Sequence, residues 1–165
     1  MAMLAPCAGC GLLVKDGTEG CQRLFETMVG RDFSDVRYGR IHGLVVDCYC
    51  LQHPDRYCIS GKSFAAHLCG LCERIENGAG YAEHDERLRR WLDGPRKPEK
   101  PADLPSVRGA VTIADILAAA DPDAHLVNAE RWAHSIWEAY APFHALARRW
   151  LAEAHAYLPA RKRRR

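Results

Sequence analysis

At 165 residues the chain is long enough to enclose one sizeable core, and its 48% hydrophobic and 27% charged residues are those of a globular protein. No run approaches the ~18 uninterrupted apolar residues of a membrane span. Five of the 23 basic residues are Arg161-Lys162-Arg163-Arg164-Arg165, so the net charge of +2 belongs to the terminus and the remaining body is acidic. That balance argues against a nucleic-acid face on the fold and leaves the tail alone to meet phosphates.

Met1 to Pro6 lacks the basic and apolar regions of a secretory leader, so a cytoplasmic protein is expected. In that reducing compartment the eight cysteines read as thiols or metal ligands rather than as a disulfide frame. Residues 1–20 form a Cys-rich knuckle segment that is expected to pack on a helical domain over 21–158. Within that domain lies a Pro-rich connector, 94–109, and a disordered basic tail follows over 159–165.

Residues 1–19 read as a loop. A first helix is predicted from about Cys21 to Gly30, and Ser34 or Asp35 can cap a second that runs to about His53, where Pro54 ends it. Ile41, Leu44, Val45, Cys48 and Leu51 give that helix a broad apolar face. Ser60 can cap a third helix with the stripe Phe64, Leu68, Leu71 and Ile75, stopped by Asn77-Gly78. A short amphipathic helix is expected over Glu83 to Asp93.

The connector carries four of the nine prolines between Gly94 and Pro105, which no helix or central strand tolerates. Thr112-x-x-Asp115 resembles a capping box, and Asp121-Pro122 is a cap followed by a first-turn proline. The last and longest helix then has Trp132, Ile136, Tyr140, Phe143, Ala147 and Trp150 as its core stripe, with a kink at Pro142. No run alternates well enough for a sheet. The expected class is all-α, an irregular bundle of about five to six helices with a Cys-rich lead-in.

The strongest chemical signal is Cys7-Ala-Gly-Cys10-Gly11 with Cys21. Two thiolates spaced C-x-x-C, followed by glycine, aim at one point, as a tetrahedral zinc site requires. No second C-x-x-C follows at zinc-ribbon spacing. The fourth ligand must come from His53, His42, Cys58 or the pair Cys69/Cys72, with His53 preferred. Cys69 and Cys72 lie in a helical pattern, where cysteines more often serve as small buried hydrophobes, and Cys48 and Cys50 read as core thiols.

His42 and His53 are eleven residues apart, a helical rise of about 16 Å, so they cannot share an ion on one unbroken helix. A second picture has His53, His67 and His144 converging on a cleft near Tyr49 and Trp137. Such a set suits proton transfer or an open metal site for hydrolysis or group transfer. Asp47 falls away from the apolar face and reads either as a solvated carboxylate or as the acceptor that orients a histidine. In this picture His67, His144, Asp47 and Tyr49 are the catalytic candidates. His84, His125 and His155 look exposed.

On Cys7-Ala-Gly-Cys10-Gly11, Asp47-x-Tyr49-x-x-Gln52-His53-Pro54, His67-Leu68-x-x-Leu71-Cys72, and Thr112-x-x-Asp115 followed by Trp132, Trp137 and His144, the chain resembles an uncharacterised bacterial family of small helical proteins of unknown function. The likeness spans most of residues 7 to 151. The family's common form has proline after the first cysteine, where this chain has Ala8. The resemblance implies that the Cys-rich start and the Asp/Tyr/Gln/His segment belong to one design, and it supplies no activity.

The expectation is therefore a zinc protein with a structural metal on Cys7, Cys10, Cys21 and His53, and a His/Trp-lined cleft for a small molecule or protein partner. The alternatives are the His-dependent hydrolase or transferase, and an adaptor whose basic tail contacts nucleic acid.

Overall fold

A computed structural model describes residues 3–78 and 86–157. The lead-in is a hairpin rather than a loop. Strand β1 (Leu4–Pro6) pairs antiparallel with β2 (Leu13–Lys15), Leu4 opposite Lys15 and Pro6 opposite Leu13. Each strand is three residues long, too short for alternation to register in the sequence.

Helix α1 (Gly17–Ser34) starts directly after the hairpin and runs through Gly30, which faces open space and interrupts nothing. The single helix expected over 35–53 is two pieces. Asp35 accepts from the Arg37 amide at 2.9 Å and caps the four-residue α2 (Val36–Gly39). After a break at Arg40-Ile41 comes α3 (His42–Gln52), nearly all of it buried. Pro54 opens the single turn α4 (Pro54–Tyr57).

Local signals downstream hold as read. Ser60 caps α5 (Gly61–Glu76) through the Ser63 amide, and Gly78 adopts φ 63° beyond its end. Helix α6 (Glu86–Asp93) matches all but the first turn of the expected amphipathic helix; residues 83–85, with His84, lie outside the described residues, as does the basic tail. The connector has no regular structure. The Thr112/Asp115 capping box opens α7 (Ile113–Leu117), and Asp121 caps α8 (Pro122–Ala139). Pro142 does more than kink the last helix: it sits in a 3-10 turn, Ala141–Phe143, that separates α8 from α9 (His144–Ala156).

The protein is thus all-α apart from the small hairpin. Helix α3 packs between α5 and α8, and α5 in turn packs on α9, which also carries α6. Phe64, Trp132, Tyr140 and Leu51 fill the centre. One buried polar cluster was not anticipated. His125, expected at the surface, is fully buried with Nε2 3.6 Å from Asp32 Oδ1, while His42 Nδ1 lies 2.9 Å from Asp32 Oδ2. Its burial comes from docking of α8 on α2, where Tyr38 meets the imidazole edge-on; the polarity of the local sequence says nothing of that contact.

Candidate metal centre

The hairpin exists to turn the chain between Cys7 and Cys10. The Cys7 amide donates to Leu12 O and the Gly11 amide to Cys7 O, both at 2.8 Å, which closes a knuckle around the first sulfur. Gly11 takes φ 76°, a left-handed conformation that favours glycine. Cys21 comes from the second turn of α1, which the hairpin lies against. His53 comes from the C-terminal end of α3.

These four residues bring one ligand atom each to within 4.8 Å of one another, and they can hold a metal ion. Cys10 Sγ is 3.7 Å from Cys21 Sγ. His53 Nε2 is 3.4 Å from Cys7 Sγ and 3.5 Å from Cys21 Sγ. Three of the four are buried, and Cys10 is half-buried.

The surroundings fix each donor. His53 Nδ1–H donates to the Tyr49 carbonyl at 2.8 Å, which leaves the Nε2 lone pair facing the sulfurs. The Tyr49 ring lies between Phe25, stacked at 3.9 Å, and His53, at 4.1 Å. Its hydroxyl donates to Cys21 Sγ at 3.7 Å, and burial pushes the phenol up, so it remains a donor. Gly9 packs against His53 so closely that a Cβ would overlap the imidazole. Gln52, the residue before the ligand, donates to Arg108 O at 2.9 Å and Val111 O at 2.8 Å, and Arg108 Nη1 reaches back to Gly9 O at 3.3 Å. The far end of the connector is thereby tied to the knuckle.

The sulfurs are electrostatically coupled. The hydrogen bond from Cys21 holds Cys10 down at about 4, and the same contact pushes the Cys21 thiol up. Two crowded sulfurs sharing one proton are what a cation would relieve. In the remaining cysteines burial is the main influence. Burial pushes Cys48 and Cys69 up, and Cys50, Cys58 and Cys72 to about 12, which makes them inert packing thiols.

The other histidines stand apart. His67 Nδ1 is 2.8 Å from Asp47 Oδ1, so the buried Asp47 is a histidine-orienting acceptor and not a solvated carboxylate. His144 stacks on Trp137 at 3.8 Å, with Nε2 2.7 Å from the Trp137 carbonyl. His155 pairs with Glu73 at 2.9 Å. Among the described residues, His53, His67 and His144 do not form one metal-sized group. Three helices contribute them, and only helix packing, invisible in the sequence, could have separated them in advance. Sequence reasoning missed Gly9 and Gln52 as supports of the site; Gln52 lay in plain view beside His53, but its partners are more than fifty residues away.

The model of the family of unknown function DUF5946 matches residues 5–141, and the chain belongs to that family. No curated protein and no solved structure matches the chain.

Proposed function

We propose that this family member is a zinc protein in which Cys7, Cys10, Cys21 and His53 hold one structural ion. The supporting observation is metric. Zinc at about 2.3 Å from sulfur and about 2.0 Å from nitrogen requires roughly 3.8 Å between sulfurs and roughly 3.5 Å between sulfur and nitrogen. The separations of 3.7 Å for Cys10–Cys21 and of 3.4 and 3.5 Å for His53 to Cys7 and Cys21 lie within about 0.1 Å of these. Three soft sulfurs with one imidazole favour zinc over magnesium or calcium, which take oxygen donors.

Four protein ligands complete a tetrahedron and leave no position for substrate, so the role is structural. Bound zinc supplies folding free energy by joining the hairpin, α1 and the end of α3. Metal analysis of protein purified without added zinc should return one equivalent, released only on unfolding. Cobalt substitution should give the visible absorption of a tetrahedral thiolate site. Protein that folds fully with no metal, or that gives an octahedral cobalt spectrum, overturns the reading.

A second reading, proton transfer at His67, is favoured by one observation. Asp47, buried on α3, orients the His67 Nδ1, and Nε2, with no hydrogen-bond partner among the described residues, can act as a base on a side chain that is 19% exposed. Tyr49 and His144 have other partners and take no part. Wild type should then hydrolyse a chromogenic ester or phosphoester, and His67→Gln should abolish the activity with zinc content unchanged. Equal rates in the two proteins remove this reading.

A further inference from the structure

The metal centre has one open side. Cys7, Cys21 and His53 are buried, whereas Cys10 is half-buried at the tip of the hairpin. Ala8 and Gly11 on either side of it are exposed, and beyond its chain neighbours no atom lies within 4 Å of the place a Gly11 side chain would take. A small solute arriving from water therefore meets the Cys10 sulfur first.

The sulfur behind it is placed to respond. Cys21 Sγ stands 3.7 Å from Cys10 Sγ, where a disulfide needs about 2.05 Å. Cys21 is held by α1 and by the Tyr49 hydroxyl, while Cys10 rides on the short turn between two three-residue strands, so the turn can make up the difference. Cys7 is engaged elsewhere. Its Sγ meets His53 Nε2 at 3.4 Å, and its amide and carbonyl are both bound within the knuckle. The other five cysteines lie outside the cluster and are buried.

We infer, on the footing of the structural zinc site proposed above, that Cys10 and Cys21 are a peroxide-sensitive switch: a hydroperoxide oxidises Cys10, Cys21 closes a disulfide onto it, and the ion is released. Written for hydrogen peroxide, the Cys10 thiolate attacks one oxygen, the O–O bond breaks, hydroxide leaves and Cys10 becomes a sulfenic acid. The Cys21 thiolate then attacks the Cys10 sulfur, the S–S bond forms, the S–O bond breaks and a second hydroxide departs. Two thiolates have passed two electrons to one peroxide. Cys7 and His53 alone remain as donors, short of the four that a structural zinc site uses. The disulfide keeps the hairpin on α1, but the end of α3 loses its tie to the hairpin. Gly9, which packs on His53 and accepts from Arg108, carries the change to the connector.

Zinc-loaded full-length protein would be treated with hydrogen peroxide, with released zinc read by a chromophoric indicator and the cysteines mapped by mass spectrometry without reduction. One zinc is expected for each Cys10–Cys21 disulfide, with the other cysteines reduced, and a phosphine reductant with added zinc should restore the starting state. Cys10→His keeps a zinc ligand at the open position without the accessible thiol, and it should release zinc at least ~tenfold more slowly. If that variant fails to bind zinc, the disulfide map of the wild type decides alone. The switch is overturned, with the structural ion left standing, by zinc retained through the oxidation or by release with Cys10 paired to Cys7 or carried on to sulfinic acid. Failure of the reductant to restore the site, or release from Cys10→His as fast as from wild type, overturns it equally. Protein that folds fully without zinc overturns both, and metal analysis before any peroxide is added identifies that case.

Discussion

The carbonyl oxygen of Tyr49 receives the Nδ1–H of His53 at 2.8 Å, so a main-chain atom four residues back decides which imidazole nitrogen faces the sulfurs. The tyrosine hydroxyl makes a separate, weaker contact with Cys21. The two roles can be pulled apart. Tyr49→Phe keeps the carbonyl, so it should retain one equivalent of zinc and lose about 1 kcal/mol or less. His53→Ala should lose the metal. Zinc stoichiometry and urea denaturation of the two variants measure the difference.

Cys21 stands where the hairpin, α1 and Tyr49 meet, and it is fully buried. Replacing it with serine removes a soft ligand and leaves a hydroxyl among sulfurs. Cys21→Ser should lose zinc and at least ~3 kcal/mol of stability, while Cys72→Ser, away from the site, should keep its zinc. Metal content and chemical denaturation provide the comparison.

Gly9 has no room for a side chain, because His53 occupies the space. Gly9→Ala should push the imidazole off its line and weaken zinc binding by about tenfold or more, as disturbing a ligand's support commonly does. Competition against a chromophoric chelator would report the change, with Gly30→Ala, at an open helical position, as the unaffected control.

Gln52 is buried with its amide nitrogen shared between Arg108 O and Val111 O. Gln52→Ala leaves both carbonyls without that donor, at a cost of about 1–3 kcal/mol. Hydrogen exchange should rise at residues 108–112 in the same variant, and an unaltered exchange pattern would deny the tie between connector and knuckle.

Arg148 grips Glu76 with two bonds of 2.7 Å each and holds that carboxyl below its ordinary range. A carboxyl depressed in the folded state stabilises above its unfolded pKa, and the effect is lost as pH falls through the folded value. Glu76→Gln should therefore be slightly less stable than wild type at pH 7. The gap should close as the solution is acidified through the carboxylate range, which paired denaturation curves at several pH values would follow.

Much of this architecture is written locally. Ser60, Asp121 and the Thr112/Asp115 pair cap the helices they precede because a side-chain oxygen and an amide two or three residues later need no distant partner. The candidate ligands were legible for a related reason: two cysteines at C-x-x-C spacing with a glycine after the second bring their sulfurs together through local chain geometry alone. What escaped depends on packing. His125 is buried by α2 and α8, and Asp47 is drawn inward by His67 on a neighbouring helix. The hairpin escaped through brevity, and the break at Arg40-Ile41 falls inside a continuous apolar pattern that one long helix would satisfy equally well.

All four donors lie within residues 7–53. The four candidate donors therefore all precede α5 to α9 in the order of synthesis. On the proposed structural role, an ion taken up by the nascent chain would fasten this corner first, and the later helices would assemble on it.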